Sequence, residues 1–83
     1  MYTESLINSK GNPTRHVNIL ITNTGDELLV HYGTPIAGRI GGVYVKTNRF
    51  HSVTSSKHIN TYLSDRTHNV VDQLYLDSVL AAV

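Results

Sequence analysis

The chain has 83 residues, of which 40% are hydrophobic and 16% are charged, and its formal net charge is +1. This length predicts one domain with a single small core, and it leaves little depth for an enclosed catalytic pocket. The composition excludes a disordered polyelectrolyte and a strongly basic protein that coats DNA. Because the chain has no cysteine, disulfide frameworks, thiolate zinc sites and cysteine nucleophiles are excluded as well.

The N-terminal segment contains no apolar stretch of the kind that marks a signal peptide, and the longest apolar run is residues 79–83. We therefore expect no membrane segment and action inside a cell. Residues 1–16 place turn-forming and polar side chains around the single apolar pair Leu6 and Ile7. They predict an N-terminal arm or a short edge strand, followed by one α+β domain over residues 17–83.

The first regular pattern along the chain is an alternation with a period of two. Val17, Ile19 and Ile21 recur at every second position, which is typical of a strand with one buried face. Residues 23–26 carry Gly and Asx side chains suited to a turn, and a second alternating run covers residues 28–32. The two runs predict a β-hairpin.

Further strands are expected after a connecting segment. Glycine and proline punctuate residues 33–42, so we expect a connection there with no regular element longer than three or four residues. A third strand is predicted at residues 43–46, with Val43 and Val45 in the core. A short fourth run is possible at residues 49–53.

The C-terminal third changes to a helical period. Thr54 is expected to cap a short helix over residues 55–63, and Asn69 to cap a second helix that runs to about residue 82. Strands followed by helices, without β-α-β alternation, predict an α+β fold. The expected architecture is an antiparallel meander of three to four strands, packed on one face by a C-terminal helical pair.

Charge is distributed unevenly behind the near-neutral total. Residues 28–64 contain no Asp or Glu and carry a charge of +4. Aromatic side chains lie between these cations, a combination that suits an acidic protein or a nucleic acid. The candidate partner-binding residues are Arg39, Tyr44, Lys46, Arg49, Phe50 and Lys57. The alternative is that these cations are ordinary solvated side chains and that the tyrosines cover the edge of the core.

A second candidate site lies at the predicted start of the first helix. Three hydroxyls and a cation stand close together there, and this combination at a helix start suits an anion such as phosphate or carboxylate. The candidate anion-binding residues are Thr54, Ser55, Ser56 and Lys57. The alternative is that Thr54 and Ser55 only cap the helix and Lys57 points into water.

Neither metal binding nor catalysis is predicted. The chain has five histidines, but no pair has the spacing of two ligands on one helix face, so we expect scattered surface histidines and no metal or other cofactor. No nucleophile elbow, phosphate-binding loop or dinucleotide-binding glycine pattern is present. We therefore expect no enzyme.

Two blocks of sequence are distinctive when taken together, YGTPIA at residues 32–37 and SVTSSKHINTYL at residues 52–63. They are similar to a core written Y-x-T-P-[IV]-A followed by S-[VT]-T-[ST]-S-[KR]-H-[IV]-N-x-[FYW]-L. With this core the chain resembles a family of small, uncharacterised tailed-bacteriophage proteins, and the resemblance covers residues 28–63. It implies a phage source and action in the host cytoplasm, but it supplies no activity and no functional residue.

Size, the lack of catalytic motifs and this resemblance together favour a binding protein. We expect a non-enzymatic factor that binds a host protein or ribonucleoprotein complex and inhibits or redirects it, as an anti-CRISPR-like factor would. The alternative is direct nucleic-acid binding through the basic segment 39–57. A homodimer is a further possibility, because a meander leaves unpaired strand edges and residues 79–83 are apolar.

Overall fold

The structure is a computed structural model that describes residues 2–7 and 10–83. The elements in chain order are β1 (Tyr2–Ile7), β2 (Pro13–Ile21), β3 (Glu27–His31), β4 (Thr34–Ile40), β5 (Val43–Thr47), α1 (Val53–Leu63), β6 (His68–Val71) and α2 (Gln73–Ala81). The six strands form one sheet in chain order. Strands β1 to β5 pair antiparallel, whereas β6 pairs parallel with β5. Helix α1 connects these two parallel strands.

The α+β class is confirmed, but the expected strand number of three to four is too low. Strand β1 adds an edge that pairs along β2 and buries Leu6 in the core. Strand β2 already begins at Pro13, so the expected domain start at residue 17 lies inside it. Strand β6 forms the opposite edge.

Strand β4 occupies the segment that was expected to be an irregular connection. Its pairing with β3 joins Ala37 to Leu29 and Pro35 to Val30, which leaves Ile36 as one extra residue in a β-bulge. A bulge tolerates proline, which has no N–H for the ladder. At Gly38 a Cβ atom would collide with the backbone carbonyl of the neighbouring strand. Here proline and glycine permit a strand, and for this reason the expectation of a loop was wrong.

The segment that was expected to form the second helix instead forms strand β6 followed by the shorter helix α2. Residues 68–71 pair with β5 as a parallel strand, which suits the β-branched Val70 and Val71. The N-cap of α2 is Asp72, whose side chain accepts a hydrogen bond of 3.0 Å from the backbone N–H of Leu74. Asn69 is therefore not the cap, because it lies within β6.

Helix α1 begins two residues earlier than expected. Its N-cap is Ser52, whose Oγ accepts a 3.0 Å hydrogen bond from the backbone N–H of Ser55. Thr54 lies inside the first turn and is not the cap. The possible fourth strand at residues 49–53 is absent from the described structure, since residues 48–52 form a loop before the helix.

The two helices cover opposite faces of the sheet. Leu29 packs in a cluster with residues of α1, whereas Leu28 packs in a second cluster with Leu76 of α2. Consecutive strand residues point to opposite faces, so both faces are covered. The expectation of a helical pair on one face was wrong, and Val43, expected in the core, is 46% exposed.

The C-terminal apolar run is partly used inside the molecule. Val79 and Leu80 pack against the cluster on the α2 side, while Ala82 and Val83 are exposed. In the part of the chain that the structure describes, no helix has the length and apolar character needed to cross a membrane.

Candidate binding surfaces on either side of helix α1

Helix α1 separates two depressions in the surface. One is the Phe50 surface, a depression of about 280 Å³ lined by Lys46, Thr47, Asn48, Arg49, Phe50, Ser56, Ile59, Asn60 and Val70. The other is the histidine cleft, of about 430 Å³, lined by His16, His31, Tyr32, Thr34, Ile36, His51, Ser52, Thr54, Ser55 and His58. None of the described residues that line either depression is acidic.

The Phe50 surface brings together three of the expected partner-binding residues. Lys46 comes from β5, whereas Arg49 and Phe50 come from the loop between β5 and α1. The ring of Phe50 is 72% exposed, and Val70 of β6 adds a second exposed apolar side chain. The parallel pairing of β6 with β5 is what places Val70 beside Lys46.

The other expected partner-binding residues lie elsewhere or are engaged. The guanidinium of Arg39 donates a 2.9 Å hydrogen bond to Glu27, and this bond raises the pKa of Arg39. Tyr44 is half-buried against Tyr62, with its ring under the guanidinium of Arg66 at 4.9 Å. Lys57 is exposed on α1 but does not line either depression.

The four candidate anion-binding residues do not converge on one point. Ser55 is buried, and its Oγ lies 2.8 Å from Nδ1 of His31. The Oγ of Ser56 donates a 3.1 Å hydrogen bond to the backbone carbonyl of Ser52, and Ser56 lines the opposite side of the helix. Thr54 lines the histidine cleft, but Lys57 does not, so the site as expected from the sequence is not formed.

Four of the five histidines meet in the histidine cleft, so the expectation that they are scattered was wrong. His31 is the last residue of β3 and pairs with Val17 of β2. His16 directly precedes Val17, so it lies close to His31. His51 and His58 come from the loop and from α1. His31 lies in the second run of the expected hairpin and His16 directly precedes the first run, so this pair was the signal in the sequence.

Aromatic contacts link these side chains across the cleft. The ring of Tyr32 stacks on His16 at 4.6 Å between centroids and lies 4.8 Å from the ring of His31. The His31 ring in turn contacts that of His58 edge-on at 4.7 Å. His16 and Tyr32 both have positive φ angles, of 62° and 51°, which non-glycine residues rarely adopt.

The electrostatic environment of the cleft disfavours charge on its buried histidines. Burial lowers the pKa of His31, and the nearby imidazoles of His58, His16 and His51 lower it further. Burial also lowers the pKa of His58. Both imidazoles are therefore biased towards the neutral form when the cleft holds no anion.

Gln73 is a buried polar residue that the sequence did not indicate. Its Oε1 accepts hydrogen bonds of 2.6 Å from the Thr47 hydroxyl and 2.9 Å from Nε2 of His51. Its Nε2 donates bonds of 2.7 Å to the Pro35 carbonyl and 3.0 Å to Asp77. All four bonding positions of the amide are used, so Gln73 fixes the orientation of His51.

The described side chains of the histidine cleft are not arranged as metal ligands. Among residues 2–7 and 10–83, no group of three or more His, Cys, Asp or Glu side chains has an arrangement that could hold a metal ion. The imidazoles contact one another and Tyr32 through ring faces and edges, whereas ligands must point their nitrogens at one centre.

These observations define a small α+β protein with two concave surfaces that carry cationic, imidazole and aromatic side chains. The chain belongs to a family of unknown function, DUF8033, whose model matches residues 1–78. No curated protein and no solved structure matches the chain significantly.

Proposed function

We propose that this protein is a non-enzymatic bacteriophage factor that binds a host protein or ribonucleoprotein complex in the host cytoplasm through the Phe50 surface. By occupying an acidic surface of that complex it inhibits or redirects it, in the manner of an anti-defence, anti-CRISPR-like factor. The observation that carries the proposal is the exposed ring of Phe50 in a depression that also contains Lys46 and Arg49 and whose described lining residues include no acid.

The charges of the Phe50 surface favour an acidic partner. Within the described residues, Lys46 and Arg49 form no ion pair, whereas Arg39 is paired with Glu27. Unpaired cations around a surface increase the rate of association with a negatively charged partner and select against a basic one.

The apolar side chains favour a protein partner. Phe50 and Val70 are both more than half exposed, and Ile59 lies beside them in the same depression. An exposed aromatic residue with a cationic rim is the composition of an interface hot spot, where an aromatic anchor fills a pocket on the partner.

The proposal is tested by direct binding to a purified partner. Nuclease-treated lysate of the bacterial host is passed over the immobilised protein, and the protein retained in stoichiometric amount is purified and titrated by calorimetry. We expect Phe50→Ala to weaken binding about 30-fold or more, as loss of a hot-spot residue does. The matched control is Leu74→Ala, which removes an apolar side chain of similar exposure, 68%, on α2.

Two results would contradict this proposal. One is that the host lysate yields no stoichiometric protein partner either with or without nuclease treatment. The other is that Phe50→Ala and Leu74→Ala have the same effect on the affinity for the purified partner, which would place the interface elsewhere.

A second candidate function is direct binding of single-stranded nucleic acid by the same surface. It is favoured by the position of the Phe50 ring beside Lys46 and Arg49, which suits base stacking together with phosphate contacts. Fluorescence anisotropy with labelled DNA and RNA tests it, because each phosphate contact steepens log K against log[salt] by about 0.7 for single strands. Undetectable binding at low salt would exclude this function.

A further inference from the structure

The histidine cleft lies on the other side of α1 from the Phe50 surface and has no part in the proposed function. Its volume of about 430 Å³ lies in the range of small-molecule sites. The cleft is built from five segments of the chain, namely the β2 region of His16, the end of β3 with Tyr32, the start of β4, the loop before α1 and α1 itself.

The lining of the cleft is rich in groups that donate hydrogen bonds. Oγ of Ser55 accepts a hydrogen bond of 3.1 Å from the Ser52 hydroxyl and is hydrogen-bonded to Nδ1 of His31 at 2.8 Å. Both ring nitrogens of an imidazole are donors when the ring is protonated. The hydroxyls of Thr34 and Thr54 line the same cleft.

The charges that surround the cleft favour an anion. Its lining, among the residues that the structure describes, includes four imidazoles and no carboxylate. Asp77 of α2 is connected to the cleft only through Gln73, to which it is hydrogen-bonded and which is the partner of His51, as far as the described residues show. An anion in the cleft would offset the mutual repulsion of protonated imidazoles.

We propose that the histidine cleft is a binding site for a phosphate group. The imidazoles of His16 and His58 and the hydroxyls of the lining hold the phosphate oxygens. The exposed ring of Tyr32, stacked on His16, offers a flat surface next to the phosphate for the base of a nucleotide. Protonation of the imidazoles strengthens binding, so affinity rises as the pH falls.

The first experiment titrates inorganic phosphate into the ¹⁵N-labelled protein at pH 6.0, with ionic strength held constant by NaCl, and follows backbone amide shifts. We expect saturable shifts confined to the cleft. His58→Gln and His16→Asn should each weaken binding about fivefold or more, because each removes a charge-assisted hydrogen bond. Asparagine is chosen at His16 because it tolerates the positive φ of 62° there.

The matched control is Lys57→Gln, which removes a full positive charge from α1 next to His58 but does not line the cleft. It should leave the phosphate affinity within about twofold, since exposed charges are screened by salt. If Lys57→Gln weakens binding as much as His58→Gln, the attraction is a general surface effect and the proposal is overturned. Shifts that do not saturate overturn it as well.

The second experiment separates the protein's titration from that of the ligand and identifies the source of the phosphate. Sulfate keeps its charge of about −2 between pH 5.5 and 7.5, so its affinity should rise about fivefold or more at the lower pH only if imidazoles bind it. Equal affinity at both pH values overturns the proposal.

Adenosine monophosphate binding about fivefold more tightly than inorganic phosphate supports a nucleotide stacked on Tyr32. Equal affinity of the two supports a site for free phosphate.

Discussion

The Nδ1 atom of His31 lies 2.8 Å from Oγ of Ser55, and this buried contact joins strand β3 to helix α1. The same Ser55 oxygen accepts a 3.1 Å hydrogen bond from the Ser52 hydroxyl, so the contact also includes the N-cap residue of α1. A buried polar pair of this kind stabilises the protein only while both partners are present. The pair therefore holds the start of α1 against the sheet and forms one wall of the histidine cleft.

Ser55→Ala should lower the free energy of unfolding by about 1–3 kcal/mol, because it leaves a buried ring nitrogen of His31 without a partner. Chemical denaturation followed by circular dichroism measures this change. Thr61→Ala is the control, since that hydroxyl bonds the Lys57 carbonyl at an exposed position of the same helix. If Ser55→Ala lowers the free energy of unfolding no more than Thr61→Ala does, the contact with His31 adds nothing to stability.

Stability should fall as the solution becomes acidic. The pKa values of His31 and His58 are lowered from the ordinary 6.5 in the folded protein, so the unfolded chain takes up protons first. The contribution of these two histidines to the free energy of unfolding is complete above their ordinary pKa of 6.5. It declines as the pH falls below that value, and it levels off below the lowered pKa values of the folded protein. Thermal unfolding at pH 7.5 and 5.5 in a buffer without phosphate or sulfate measures the difference in Tm.

His58→Gln supplies the control for this pH dependence. Its difference in Tm between the two pH values should be smaller than that of the wild type, because one of the two shifted imidazoles is gone and the repulsion on the other is relieved. An unchanged difference would assign the acid sensitivity to groups outside the cleft. Addition of phosphate at pH 5.5 should raise the Tm if the cleft binds it.

Gln73 should tolerate substitution poorly although it is polar and lies in the first turn of α2. Gln73→Ala removes the acceptor of the Thr47 hydroxyl and the side-chain donor to the Pro35 carbonyl in the interior, and we expect the free energy of unfolding to fall by about 2–4 kcal/mol. Denaturant titration measures the loss. The His51 resonances should shift in the same variant, because their ring loses its acceptor. A loss below about 0.5 kcal/mol, the size of a surface effect, would contradict a structural role for the network.

Two leucines of α2 provide a matched test of the second core cluster. Leu76 is fully buried against the sheet, whereas Leu74 is 68% exposed on the same helix. Leu76→Ala should cost about 2–5 kcal/mol through lost burial and the cavity left behind, while Leu74→Ala should cost about 0.5 kcal/mol or less. Equal losses would mean that α2 does not pack on the sheet through Leu76.

Local sequence patterns predicted the strands and the helix whose apolar residues recur with a regular period. The hairpin of β2 and β3 and the strand β5 lie where the period-two alternation indicated, and a helix covers most of the residues expected for α1. Strand β4 was missed because its proline and glycine have meaning only beside β3, at a bulge and at a close backbone approach. Strand β6 was missed because its short apolar run is compatible with a helix until β5 pairs with it.

The candidate sites also contain some features that the sequence predicted and others that required the tertiary structure. Lys46, Arg49 and Phe50 are close in sequence, so their joint surface was predictable, whereas the contribution of Val70 required the parallel pairing of β6. The removal of Arg39 from the candidates required its contact with Glu27 across β3 and β4. Sequence spacing alone does not place residues that come from separate strands.

The sequence by itself determined the α+β class and the middle of the chain that carries cations but no acid, because composition, period and charge are local properties. The tertiary structure decided that the helices cover opposite faces and that His16, His31, His51 and His58 meet in one cleft. The physical reason is that strand pairing and helix docking join residues far apart in the chain, and burial among those neighbours sets their chemistry.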